Sequence, residues 1–183
     1  MKIAPEITET PLLKLDHGKD TLYIKPECFQ SIGSFKIRSG ASALVHLKPE
    51  DLKNGIITAS AGNFAQGLAK AASSRKIPLK VIAPKSASSV KISKLNKMGV
   101  NVQTVDFDVW WDTMITRKAQ EPGYFIHPVS EISVILGNGG IGLELCEQLA
   151  DIDNIIVPFG GGGLVSGIAL AARLSGFKGK IIA

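Results

Sequence analysis

Short apolar runs alternate along the chain with longer stretches in which apolar residues recur every three or four positions. The strand-like runs are TLYIK (21–25), GIITAS (55–60), LKVIAP (79–84), VNVQTV (100–105), YFIHP (124–128) and NIIVPF (154–159). The helical stretches are FKIRSGASALVHL, NFAQGLAKAASSR, SVKISKLNKM, WWDTMITRKAQE, a segment near EISVILGNGGIGLELCEQLA, and LVSGIALAARLSG. Strands that are apolar along their length and separated by helices predict parallel sheets covered on both faces, a doubly wound α/β architecture. The four strands from Gly55 to Pro128 read as one compact unit. The flanks then pair as a second: 1–52 with 131–183 forms a larger domain, 53–130 is inserted into it, and a cleft lies between them. At the C-terminus FKGKIIA begins another apolar strand as the chain stops, so the larger unit is expected to be incomplete.

Composition narrows this picture only a little. With 183 residues, 45% apolar and 20% charged, the chain can bury one sizeable core or two small ones. No apolar run is long enough to span a bilayer, so no membrane partner is expected. The opening MKIAPEITETP has proline and acidic residues where a secretory signal needs an apolar centre, which predicts a cytoplasmic protein. The net charge of +5 is spread over scattered lysines with no basic block interleaved with aromatics, which argues against a nucleic-acid partner. Cys28 and Cys146 fit no metal or disulfide pattern, and both are expected to be small buried residues.

Three stretches carry candidate chemistry. In GSFKIRSG, Lys36 stands between Phe35 and Ile37, an unusual setting for a residue that normally faces water. A lysine held in apolar surroundings loses its charge more easily and becomes a nucleophile or base. In PFGGGGLVSG (158–167) four consecutive glycines join a strand to a helix, where open amides and a helix N-terminus suit a phosphate. A nucleotide-binding Walker loop is excluded because Ile168 and Ala169 follow Gly167 in place of lysine and a hydroxyl. The dinucleotide fingerprint fails on glycine spacing. In TASAGNFAQG (58–67), Ser60, Gly62 and Asn63 offer a hydroxyl, amides and a side-chain amide to a carboxylate or phenolic oxygen, or simply cap a helix. A lysine amine, a phosphate cup and a carboxylate loop together suit a cofactor bearing an aldehyde and a phosphate, which is pyridoxal phosphate.

With TETPLLKL and YIKPECFQSIGSFKIRSG added, TASAGNFAQG and VPFGGGGLVSGIA follow in an order and spacing that resemble the fold-type II pyridoxal-phosphate enzymes. The nearest group is the threonine/serine dehydratase and serine racemase family, and the resemblance covers nearly the whole chain. It implies two doubly wound parallel-sheet units like those of the tryptophan synthase β chain, the larger one partial here. It implies that Lys36 bonds the cofactor as a Schiff base and, once displaced, acts as base at the substrate α-carbon. Phe35 would pack beside the cofactor ring and Asn63 would hydrogen-bond its 3-hydroxyl. Ser60, Ala61, Gly62 and Asn63 would hold the substrate carboxylate, and Gly160, Gly161, Gly162, Gly163 and Leu164 the phosphate. The implied reaction is β-elimination of water from threonine or serine, giving a 2-oxo acid and ammonia. The implied assembly of the intact protein is a homodimer.

Some positions depart from the family pattern. Racemases of the group resemble Ser-Ser-Gly-Asn where this chain has Ala61 as the second residue, and alanine cannot serve as a proton donor on the second face. This favours elimination; racemisation, β-replacement, or a truncated ligand-binding paralogue without catalysis remain the alternatives. Phe64 stands where histidine is usual, which bears on substrate preference. GNGGIG (137–142) replaces a GQGT-like stretch and is expected to alter a hinge between the units. Family members run well beyond this length, so the 183-residue chain alone is expected to be inactive or nearly so.

Overall fold

A computed structural model describes residues 4–18 and 20–183 of the chain. Strands β3 (Ile56–Thr58), β4 (Leu79–Pro84), β5 (Asn101–Val105) and β6 (Tyr124–Phe125) form one parallel sheet in the order β5-β4-β3-β6. Helices α2 (Asn63–Ser74), α3 (Ser89–Lys97) and α4 (Phe107–Thr116) connect them. The chain steps outward from β3 to β5 and then returns to the other side of β3. That reversal makes the carboxyl ends of β3 and β6 a topological switch point, where doubly wound sheets place ligands. Thr58, fully buried, donates its hydroxyl to the Ile126 carbonyl at 2.8 Å and ties these two ends together.

A second parallel pair, β7 (Asn154–Ile156) and β8 (Lys180–Ile182), aligns Ile155 with Ile181 and is joined by α6 (Gly163–Leu174). Two more helices, α1 (Lys36–Val45) and α5 (Ile132–Gln148), bridge the pieces: α1 packs on both α2 and α5, and α5 packs on α6. The main core joins Ala41 and Leu44 of α1, Phe64 and Leu68 of α2, and Ile56 and Val81 of the sheet. A second cluster gathers Ile141, Ile155, Ile168 and Phe177.

Several expectations change. TLYIK is not a core strand of a parallel sheet. It falls in β2 (Asp20–Ile24), which pairs antiparallel with β1 (Leu13–His17). Leu13, Leu15, Leu22 and Ile24 alternate with polar residues along this hairpin and all remain exposed, a two-residue period that uniform apolarity does not describe. Helix α4 starts three residues earlier than WWDTMITRKAQE suggests and stops at Arg117, whose φ of +58° is left-handed and ends the helical ladder. Cys28 is exposed and Cys146 partly so, because the turn carrying Cys28 (Glu27–Phe29) buries none of its residues.

GNGGIG, expected to alter a hinge between the units, lies inside the helix α5. Its glycines point to two neighbours. A methyl group at Gly137 would come within 2.5 Å of the Arg38 carbonyl oxygen on α1. One at Gly142 would come equally close to the Ile168 carbonyl oxygen on α6. The glycines are therefore contact surfaces that let three helix backbones approach, and tertiary packing overrides their low helix propensity.

Candidate active site

Lys36 is the first residue of α1. Gly33 turns the chain at a φ of +75°, and Ser34 Oγ accepts the Lys36 backbone N–H at 3.1 Å. The side chain is half-buried. Its Nζ lies 5.1 Å from the centre of the Phe35 ring and 5.7 Å from that of Phe64, and no hydrogen bond or ion pair among the described residues engages it. Removal from water holds its pKa below the usual lysine value. The sequence tied Phe64 to substrate preference; the structure makes it the second ring against the amine.

Two cavities meet at this lysine. The first, about 510 Å³, is lined by Ser60, Ala61, Gly62 and Asn63 beyond β3, and by Ser86, Ser88 and Trp110 across from them. The second, about 300 Å³, is lined by Phe35, Gly160, Gly161, Gly162, Gly163 and Leu164. Lys36, Pro128 and Val129 line both. Every candidate site residue read from the sequence thus borders one of two adjoining spaces, and the lysine borders both.

The loops are built for open amides. Helix α2 starts after Gly62 with no side-chain cap; the one local bond is Gly62 N–H donating weakly to Ser60 Oγ at 3.4 Å. Helix α6 starts after Gly162, also without a side-chain cap, at a φ of +82° that only glycine adopts without strain. A side chain at Gly161 would meet Val129 Cγ1 at 2.6 Å. Uncapped amides facing a cavity, with open space where side chains at Gly160 and Gly162 would stand, suit a phosphate.

Sequence reasoning missed the supports behind these residues. Asn138, 1% exposed, accepts a hydrogen bond from Ser39 Oγ at 2.8 Å and donates Nδ2 to the Gly163 carbonyl at 3.0 Å. It fastens the glycine loop to the helix that carries Lys36. Arg38, 2% exposed, donates a pair of hydrogen bonds to Glu27 (2.8 and 2.9 Å) and another to Glu144 (2.6 and 2.8 Å). Lys25 Nζ adds a contact at 2.7 Å to Glu144. Burial alone would disfavour the Arg38 charge, but the hydrogen bonds and charges of the two glutamates outweigh it and raise its pKa. Two cations and two anions thus balance beneath α1. Partners 106 residues apart give no local signal in the sequence.

The chain as a whole resembles known proteins. A family model described as pyridoxal-phosphate dependent enzyme matches residues 3–183. The chain belongs to this family. It is 39% identical over 163 residues to the L-threonine ammonia-lyase of Thermotoga maritima, a match covering 88% of this chain and 41% of that protein. It is 36% identical over 179 residues to a serine racemase of Oryza sativa subsp. indica, covering 94% of this chain and 52% of that one. Among solved structures, the processed form of threonine deaminase isoform 2 from Solanum lycopersicum superposes with a TM-score of 0.88 at 33% identity. That match covers 96% of this chain and 50% of that one. The chain therefore spans about half the length of the relatives it matches, and it shares their fold-type II architecture and pyridoxal-phosphate dependence.

Proposed function

We propose that the chain carries the lysine, phosphate cup and carboxylate loop of a pyridoxal-phosphate-dependent ammonia-lyase acting on threonine or serine. The observation that carries this reading is Lys36 on the shared wall of two cavities, one beside the glycine loop and one beside Ser60–Asn63. In this reading Gly160–Gly163 and Leu164 hold the phosphate, Phe35 flanks the ring and Asn63 meets its 3-hydroxyl. When bound, pyridoxal phosphate supplies an electron sink for charge developing at the α-carbon. Ser60, Ala61, Gly62 and Asn63 hold the substrate carboxylate through the free amides at the start of α2. The Lys36 amine, neutral more readily than a surface lysine, takes the α-proton, and the β-hydroxyl leaves as water. Hydrolysis of the released enamine yields the 2-oxo acid and ammonia.

The same reading makes 1–52 with 131–183 a cofactor domain and 53–130 an inserted one. Support comes from the sheets: residues 56–125 supply one and β7 with β8 another. It also makes the whole protein a cytoplasmic homodimer.

Racemisation is the second reading. Ala61 supplies no proton donor, which favours elimination, but Ser86 and Ser88 border the same cavity and carry hydroxyls. The test is to load the protein at its relatives' full length, since the 183-residue chain alone is expected to turn over little, with pyridoxal phosphate and to supply L-threonine and L-serine. Equal amounts of 2-oxo acid and ammonia support the lyase. D-serine as the main product supports the racemase. Binding of the cofactor with neither product from either substrate overturns both.

A further inference from the structure

The segment Pro128–Val129 borders both cavities, so whatever fixes it shapes the site. The preceding residue, His127, is half-buried, and its Nδ1 accepts two backbone hydrogen bonds, from Val129 N–H at 3.1 Å and Ser130 N–H at 2.9 Å. One ring nitrogen thus closes a tight turn directly after β6. Val129 in turn abuts the glycine loop: a side chain at Gly161 would strike its Cγ1, and one at Gly163 would lie 3.3 Å from its carbonyl oxygen. An imidazole can accept at Nδ1 only while that nitrogen carries no proton, so the proton of the neutral ring resides on Nε2.

We propose that His127 is a positioning residue for the phosphate cup: as neutral imidazole it pins Val129 against Gly161 and Gly163, and protonation at Nδ1 releases that wall. The proposal rests on the reading of the glycine loop as a phosphate site. Charged groups around the ring come from two elements. Arg117, at the end of α4, donates Nη2 to Ser130 Oγ at 2.8 Å, and its Nη1 lies 3.5 Å from Glu131 Oε2 at the start of α5. Partial burial lowers the His127 pKa most, Arg117 lowers it further, and Glu131 opposes both. The neutral, accepting form therefore prevails at neutral pH and is lost as pH falls through a value below that of a free histidine.

The test uses three forms: the original chain, His127→Asn, whose Oδ1 accepts at every pH, and His127→Leu, which cannot accept. In ligand-free protein, the backbone amide resonances of Val129, Ser130, Gly161 and Gly163 are followed by NMR as His127 titrates. The proposal expects all four to move with the imidazole and to stand still in His127→Asn. Movement of Val129 and Ser130 alone would overturn it, since the ring would then hold only its own turn. Affinity is then measured for pyridoxine 5′-phosphate, which has the phosphate but no aldehyde for Lys36. Acidification through the His127 titration is expected to weaken binding about tenfold more in the original chain than in His127→Asn, the worth of one to two hydrogen bonds. His127→Leu is expected to be weak throughout. Equal losses in the original chain and His127→Asn would overturn the proposal. Coupled amides with no ligand binding by any form would sink the phosphate reading and leave the link between His127 and the glycine loop standing.

Discussion

A methyl group on Gly67 would sit 2.6 Å from the carbonyl carbon of Lys36. The reciprocal contact is as tight: at Gly40 it would meet the Gly67 carbonyl carbon at 2.5 Å. The crossing of α1 and α2 therefore has no room for any side chain, and it sets how far Lys36 stands from the loop Ser60–Asn63 that opens α2.

Gly67→Ala must push the two helices apart. Overpacking of this kind costs about 1–3 kcal/mol. The expected outcome in urea unfolding is a loss in that range, together with a slower reaction of Lys36 with pyridoxal phosphate. Gly176→Ala is the comparison, since no atom lies within 4 Å of the added methyl; its positive φ of +92° brings backbone strain but no clash near the lysine. If Gly67→Ala slowed Lys36 no more than Gly176→Ala did, the crossing would not govern the lysine.

The Lys36 amine has two aromatic rings for company and no anion among the described residues. Its lowered pKa means that the folded chain binds fewer protons than the unfolded chain between the two pKa values. Stability from this group is thus fully present above the unfolded value and is lost as pH falls through the folded one. Two outcomes follow. Acylation of Lys36 by a neutral reagent should reach its plateau at a lower pH than that of surface lysines, as read by peptide mass spectrometry. Lys36→Met should keep or raise the melting temperature at neutral pH, by up to about 4 °C. A clear drop would mean that the ammonium has a stabilising partner.

Arg38 anchors the helix that presents Lys36. Removing it leaves the buried Glu144 with Lys25 as its one cation among the described residues, and the partly buried Glu27 with none. Arg38→Ala should cost about 3–5 kcal/mol in chemical unfolding. Arg38→Lys keeps the charge but cannot form paired hydrogen bonds with two carboxylates, so it should recover less than half of that loss. Full recovery would reduce the site to a simple requirement for positive charge.

Asn138 joins Ser39 to Gly163. Asn138→Leu fills the same volume and breaks both bonds, leaving the Ser39 hydroxyl and the Gly163 carbonyl without their partner. The expected stability loss is about 2–4 kcal/mol. Pyridoxal-phosphate affinity should fall at least severalfold, because the loop is no longer fastened. Asn138→Asp retains the acceptor for Ser39 and loses the donor to Gly163, so affinity should suffer while the α1–α5 contact largely holds. Unchanged affinity in both variants would remove Asn138 from the site.

Much of the framework is legible in the residues. The alternation of apolar runs with helical periods predicts the parallel sheets, and it sets Ser60–Asn63 and Gly160–Leu164 at strand-to-helix turns that border the two cavities. The hairpin β1–β2 escapes a reading that looks for uniformly apolar strands, although the alternation of Leu13 and Leu15 with polar residues is there to be found. GNGGIG reads as an altered hinge because propensity is local, while the glycines serve contacts with α1 and α6. The supports supplied by Arg38, Asn138 and His127 depend on distant partners or on backbone groups. A histidine and proline closing a strand was the one available hint, and it carries no information about what the ring accepts.

The central claim is that Lys36 is the lysine that meets the cofactor. The chain is mixed with pyridoxal phosphate, the adduct is trapped with borohydride, and the protein is digested and mapped by mass spectrometry. The account predicts that Lys36 carries most of the label, that inorganic phosphate in excess suppresses it, and that Lys36→Ala loses it without gaining label elsewhere. Label spread over exposed lysines such as Lys48 and Lys91, with Lys36 unmodified, would contradict it.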